Sequence, residues 1–281
     1  MTNLRPRPPL PFQGNKSKGR QYFLQILSEI KDGNQKTFVD LFGGSLYLSY
    51  LIHQTFPKAK IICNDFDNYM ERLLHIEETN ELLRQIRAVC REPKQKLISN
   101  ETKLKINEVI EKYTGYKDPI TLSANFIFSS LMFTELPPLL KHPFYNVLKN
   151  CGYDTNISDY IEGIEFVRCD WKELYSKYQN DPGVVYIGDP PYLYTDKSGY
   201  SSNYWTLQDA LEVLDIMKED NFILYTSDKP GIITIINFLK NQGVPIHDYN
   251  TVHYDRGCCI RMNKGKSNGE HILYNFIEGG H

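Results

Sequence analysis

Five short runs of apolar, mostly β-branched residues punctuate the chain: KTFVDLF at 36–42, KAKIICND at 58–65, IEFVRCD at 164–170, GVVYIGD at 183–189 and NFILYTSD at 221–228. Four of them end in an acid and the first carries one near its end. A continuous apolar run with a polar residue at its carboxyl end is the pattern of a strand buried on both faces in a parallel sheet. Between the runs the period changes to that of a helix. Phe23, Ile26, Leu27 and Ile30 make one apolar stripe, and Leu207, Ala210, Leu211, Leu214 and Met217 make another. Strand alternating with helix predicts an α/β fold, an open doubly wound sheet. The rhythm breaks after Asp65. NYMERLLHIEETNELLRQIRAVC, ETKLKINEVIEKY and PITLSANFIFSSLMF all read as helices, with Pro119 suited to a first helical turn. The chain therefore divides into a sheet domain, residues 1–75 and 160–281, and a mostly helical insertion, residues 76–159. NCGYDTNISDY predicts a loop back to the sheet, and the PRPPLP segment near the start an extended arm.

Composition changes this picture little. The 281 residues are 41% hydrophobic and 23% charged, ordinary values for a soluble globular protein. No apolar run approaches the ~18 residues of a membrane helix, and the N-terminus lacks the apolar stretch of a signal peptide. Six cysteines, Cys63, Cys90, Cys151, Cys169, Cys258 and Cys259, show no metal-ligand spacing. Reduced thiols, no metal, no membrane and a cytoplasmic setting are the expectation. The net charge of −2 gives no overall nucleic-acid signature, but the charge is uneven. Arg5, Arg7, Lys16, Lys18 and Arg20 form one basic group. Arg91, Lys94, Lys96, Lys103 and Lys105 form a second, and Arg256, Arg261, Lys264 and Lys266 a third. Each run reads either as a solvated face or as a phosphate track.

The strand ends carry the candidate chemistry, because ligands of such sheets bind outside the carboxyl ends of the strands. Asp40 opens DLFGGS, where Gly43 and Gly44 permit a tight turn and close approach of backbone to a ligand. Asp65 suits two ribose hydroxyls, since a carboxylate offers two acceptor oxygens; the same residue reads equally as a helix cap. Asp170 and Trp171 set an acceptor beside a flat ring, fit for an adenine, or a capping acid beside a core Trp. The spaced three-glycine fingerprint and a phosphate loop ending in Gly-Lys-Ser/Thr are both absent, which turns the reading away from NAD and ATP. At 189–192 the chain reads DPPY. Two prolines fix their own backbone and hold the preceding Asp189 extended. Asp189 and the Pro190 carbonyl supply two acceptors and Tyr192 a stacking ring, which is what an aromatic amino group needs. With both amino hydrogens held, the nitrogen lone pair can turn toward an electrophile, by positioning and electrostatics alone.

These residues resemble the catalytic motif of amino-group methyltransferases, and the wider match resembles the Dam-type DNA adenine-N6 methyltransferases. PFQGNKSK (11–18), FVDLFGGS (38–45), CNDFD (63–67) and CDW (169–171) are similar to that family's cofactor segments, in the same order. GKSNGEHILYNF (265–276) is similar to its last strand region, with Glu270 in the expected place. The loop after Asp40 is about one residue shorter than the family's, and the insertion lacks its common Arg-Asn…Gly…Phe-Asn run. The resemblance implies a Rossmann-like methyltransferase sheet and S-adenosylmethionine as cofactor. It implies cofactor contacts from Phe12, Lys16, Asp40, Phe42, Gly43, Gly44, Ser45, Asp65, Asp170 and Trp171. It also implies that Asp189, Pro190 and Tyr192 hold an adenine flipped from double-stranded DNA. The insertion would then recognise the target, the YTDKSGYSSNYW stretch (194–205) would form a loop over the flipped base, and a cognate restriction endonuclease would be a partner. The same amino-methylation on RNA or protein, and a non-catalytic binding module, are the alternatives.

Overall fold

A computed structural model describes residues 4–94, 96–127, 131–148, 152–192, 205–227, 232–255 and 269–276. Cys151, Cys258, Cys259, the third basic group and the expected loop up to residue 204 lie outside them.

All five expected strands form: β1 Thr37–Asp40, β2 Lys60–Asn64, β3 Ile164–Val167, β4 Val184–Gly188 and β5 Asn221–Ser227. Two more follow, β6 Asn250–Asp255 and β7 Gly269–Phe276. The sheet order is β3-β2-β1-β4-β5-β7-β6. Strands β1 to β5 pair in parallel, and β7 runs antiparallel to both its neighbours. The architecture is the expected doubly wound, Rossmann-like sheet. β6 escapes the sequence pattern because NTVHYD holds no continuous apolar run; of its first five residues only Tyr254 is buried.

Side chains alternate between two cores, as a strand period of two requires. Phe38, Val185, Ile187, Ile223 and Tyr225 face the first core, with Phe23, Ile26 and Leu27 of helix Arg20–Leu27 and Tyr50 and Leu51 of helix Tyr47–Thr55. Val39, Ile62, Val184, Tyr186, Phe222 and Leu224 face the second. There they meet Leu174 of helix Trp171–Tyr178 and a segment, Leu207–Lys218, that begins α-helical and tightens to 3-10 at Val213. Sheet order reverses at β1, which pairs with β2 on one side and β4 on the other. At that switch point the connections leave in opposite directions and a crevice opens at the carboxyl ends.

The stretch after β2 carries helices Ile76–Val89, Asn100–Lys112, Pro119–Phe126 and Leu136–Lys141. They enclose a third core of Leu82, Ile86, Ile106, Ile110, Leu122, Phe126 and Phe144. Pro119 occupies the first turn of its helix, where its missing N–H costs nothing, and Asp118 caps the free N–H groups of Ile120 and Thr121. Asp118 also pairs with Arg72 on the short helix Tyr69–Leu74, at 3.0 Å, with both side chains buried. Helix Ser158–Ile161 returns the chain to the sheet and delivers Tyr160 into the first core.

Candidate active site

A cavity of about 230 Å³ opens at the switch point. Its wall contains Phe12, Lys16, Phe42, Gly43, Gly44, Ser45, Asp170, Trp171 and Asp189 of the expected residues, together with Asn64, Phe66, Asp67, Pro191, Trp205 and Asp209. Segments far apart in the chain meet here because the parallel strands all bring their carboxyl ends to one edge.

The glycine turn after β1 is shaped for close approach. A Cβ on Gly43 would stand 2.5 Å from the Cys63 sulfur and 2.9 Å from the Asn64 carbonyl oxygen, so only glycine lets the turn lie against β2. Gly44 has φ +51°, and a Cβ there would come within 3.1 Å of the Phe12 ring. The turn ends at Leu46, also left-handed at φ 61°, just before helix Tyr47–Thr55. From behind, the Tyr160 hydroxyl donates to the Ser45 carbonyl at 2.7 Å. Three rings, Phe42, Trp171 and Trp205, line the cavity with the turn. Phe42 lies 5.6 Å from Trp171 and meets Trp205 edge-on at 5.7 Å, between ring centres.

Two expected cofactor residues do not line the cavity. Asp40 is fully buried behind it. One carboxylate oxygen accepts from the Ser49 hydroxyl at 2.7 Å and the other from the Phe42 N–H at 3.3 Å. Burial pushes its pKa up to about 6, against the lowering effect of those two hydrogen bonds. Its place is to hold the turn, since it acts on Phe42 through the backbone. Asp65 spends both oxygens on the first turn of helix Tyr69–Leu74, accepting from Tyr69 N–H at 2.6 Å and Met70 N–H at 2.9 Å. Of the two readings the sequence left open, the cap is the one realised. Free N–H groups at a helix start outcompete a ligand for a carboxylate that close in sequence. Of the two acids in CNDFD, the one on the wall is Asp67, two residues on. Burial raises its pKa, and the charges of Arg72 and Arg168 bring it down. The motif CNDFD contained Asp67, but the strand-end pattern pointed to its first acid. Asp170 caps Lys172 N–H at 2.8 Å and also lines the cavity beside Trp171.

At the other end the DPPY segment follows β4. Asp189 and Pro191 reach the wall; Pro190 and Tyr192 do not, and stand half-buried beside it. Lys16 sits at 2.7 Å from Asp189 and 3.4 Å from Glu270 of β7, and donates to the Gly14 carbonyl at 2.8 Å. The Tyr192 hydroxyl lies 3.2 Å from Asp189 and 3.1 Å from Glu270, and the Tyr254 hydroxyl donates to Glu270 as well. The Lys16 ammonium is 5.3 Å from the centre of the Tyr192 ring, a cation–π distance. Asp189 is therefore braced by two groups, the Lys16 ammonium and the Tyr192 hydroxyl. Burial raises its pKa, Lys16 lowers it, and the Glu270 charge raises it again. Lys16 belongs to the early basic group, and a second member of it is paired as well. Arg5 pairs with Asp154 at 3.2 Å and Asp159 at 2.5 Å, tying the N-terminal arm to the body.

The donor set suits a nucleoside-bearing sulfonium cofactor: aromatic walls at one end, an acid and an amide between, a side-chain-free turn, and a carboxylate at the far end. Among the described residues no cluster of His, Cys, Asp and Glu is placed to hold a metal, and no helix is long and apolar enough to cross a membrane.

No family model matches the chain. A Haemophilus influenzae protein described as "Putative methyltransferase" is 35% identical over 240 residues, which cover 83% of this chain and 80% of that one. Among solved structures, a "putative RNA methyltransferase" from Pyrococcus horikoshii aligns with 96% of this chain and 87% of its own, at 13% identity and TM-score 0.42. An rRNA methylase from Streptococcus thermophilus aligns with 92% of this chain and 96% of its own, at 11% identity and TM-score 0.36. Likenesses at that level say nothing of the substrate.

Proposed function

The chain belongs to the methyltransferase family of its Haemophilus influenzae relative, and on that premise we propose that it methylates the exocyclic N6 of adenine in double-stranded DNA. Its methyl donor is S-adenosylmethionine, and its sheet is that of the class I methyltransferases. The observation that carries the proposal is the DPPY segment, placed by β4 at the edge of the cofactor cavity with Asp189 on its wall.

The bound cofactor supplies an electrophilic methyl group on its sulfonium. Everything else falls to the chain. Phe42, Trp171 and Trp205 offer faces for the adenine ring of the cofactor, and Asp67 acceptors for its ribose. The Gly43–Gly44 turn admits its backbone, and Phe12 closes over that turn. Asp189 and the Pro190 carbonyl accept the two hydrogens of the target amino group. Tyr192 stacks on the target base, its ring angle fixed by the contacts of its hydroxyl with Asp189 and Glu270. Lys16 favours the ionised, accepting form of Asp189 against burial and the charge of Glu270. Orientation and preorganised acceptors do the catalytic work. The methylated ammonium then loses its proton readily, so no dedicated base is required. A target inside a duplex must be flipped out to reach this edge. In the same reading the helical insertion contacts the target site, and a restriction endonuclease acts on the same sequence.

Transfer of tritium from labelled S-adenosylmethionine tests this, with unmethylated genomic DNA and RNA in parallel tubes. Label recovered as N6-methyladenine from DNA, and lost in Asp189→Ala, is the expected result. Label in RNA alone would move the same chemistry to another polymer. Label in neither, from a protein that binds the cofactor, would refute a nucleic-acid substrate.

A further inference from the structure

Phe12 lies on the cavity wall but on no regular element, since the chain from Pro6 to Lys16 forms neither helix nor strand. Its position is set by the helix Tyr69–Leu74. The Tyr69 hydroxyl donates to the Leu10 carbonyl at 2.8 Å and accepts from the Leu10 N–H at 2.9 Å. One turn on, Arg72 donates through Nη2 to the Pro11 carbonyl at 2.8 Å. The Phe12 ring then meets Tyr69 edge-on, with centres 5.8 Å apart, and closes over Gly44.

Arg72 is itself held from the other side. Its Nε donates to Asp118 at 3.0 Å and its Nη2 reaches the Thr121 hydroxyl oxygen at 3.3 Å; Thr121 in turn donates to Asp118 at 2.6 Å. Asp118 and Thr121 begin helix Pro119–Phe126 of the insertion. The planar guanidinium therefore spans two bodies: one edge faces the insertion, and one nitrogen faces the strap that carries Phe12. A buried arginine cannot shed its charge, so losing the carboxylate must move it or strand it.

We propose that Arg72 is a positioning residue for the cofactor, through which the seating of the helical insertion fixes Phe12 and so sets the affinity for S-adenosylmethionine. The proposal rests on the reading that the cofactor occupies the switch-point cavity. It makes cofactor binding and target binding on the insertion reciprocally coupled, because anything that reseats the Asp118 end must act on the Pro11 end.

The test uses the full chain and S-adenosylhomocysteine as probe. Affinity is measured by calorimetry, and KM and kcat by methyl transfer. Asp118→Asn keeps an N-cap acceptor for the helix but removes the charge. Arg72→Lys keeps a charge for Asp118 but not the fork that reaches Pro11. Each is expected to weaken probe binding at least fivefold and raise KM for S-adenosylmethionine, with kcat within about twofold of wild type. Faster amide hydrogen exchange over residues 8–16 should accompany the loss. Thr121→Val keeps the ion pair and serves if either variant fails to fold; a loss of at least twofold is expected. Phe12→Ala reports separately on the cavity assignment. If Phe12→Ala weakens binding while folded Asp118→Asn and Arg72→Lys, or Thr121→Val in their place, bind as wild type, the inference is overturned and the cavity assignment stands. If Phe12→Ala leaves binding unchanged, the cavity assignment falls and the inference with it.

Discussion

Lys16→Met removes the ammonium from the brace around Asp189 and leaves most of the side chain's apolar stem. In the wild type that ammonium is almost wholly buried, at 2.7 Å from Asp189 and 3.4 Å from Glu270. Burial and the Glu270 charge raise the pKa of Asp189, and Lys16 opposes them. Without Lys16 the opposition is gone. A hydrogen bond to a charged group is worth about 1.5–3 kcal/mol net, a factor of about 10 to 150 in rate. The Asp189 pKa should therefore rise in the variant, because the Lys16 charge that lowers it is gone. Transfer needs the ionised, accepting carboxylate, so activity is present above that pKa and lost as pH falls through it. The acid limb of the pH–rate profile should move upward with it, with the deficit smallest at high pH. Single-turnover methylation at saturating cofactor, from pH 5 to pH 9, measures it. A limb that stays in place while the rate drops equally at every pH would refute the argument, since Lys16 would then act on something other than the ionisation of Asp189.

Gly43→Ala should be costly even though it adds one carbon. The new Cβ meets the Cys63 sulfur and a backbone oxygen, overpacking of this kind costs about 1–3 kcal/mol, and S-adenosylhomocysteine should bind about 5- to 150-fold more weakly by calorimetry. Equal affinity would mean that the turn does not touch the cofactor. Both tryptophans of the chain, Trp171 and Trp205, line the cavity. Intrinsic fluorescence should therefore change saturably on titration with S-adenosylhomocysteine, and Trp171→Ala should lose about 1–3 kcal/mol of stacking; a flat titration would remove both rings from the site. Asp40 titrates at about 6 in the folded protein, above the ordinary 3.8. It therefore favours folding while protonated, and that contribution is lost as pH rises through 6. Urea unfolding of Asp40→Asn against wild type should show the variant gaining about 3 kcal/mol relative to wild type between pH 3 and pH 7.5; a difference that does not vary with pH would show that the carboxylate is not desolvated.

Much of the architecture is written locally. An apolar run marked β1, β2, β4 and β5, because a strand buried on both faces must be apolar until it reaches the edge where polar groups are tolerated; β3 carries such a run too, although it is an edge strand with no fully buried residue. Pro119 marked a helix start, because a proline is free of penalty only in the first turn. DPPY announced itself because two prolines rigidify whatever precedes them. The helices after β2 showed as a change of period. Strand β6 did not show, because its sequence NTVHYD alternates polar and apolar residues and holds no continuous apolar run.

What tertiary structure decided is which of several equivalent side chains faces which neighbour. Asp40, Asp65 and Asp67 look alike in sequence. The first is consumed by Ser49 and the Phe42 amide, the second by the amides of Tyr69 and Met70, and the third stands on the cavity wall. Lys16, Glu270 and Asp189 come from opposite ends and the later middle of the chain, and Arg72 links a strap to an insertion. Burial demands that each such charge find a partner, but it places no condition on where along the chain that partner stands. Periodicity and caps are set by neighbours in sequence and so are legible in it. The pairing of buried charges is set by how the elements dock, and the folded structure alone decides it.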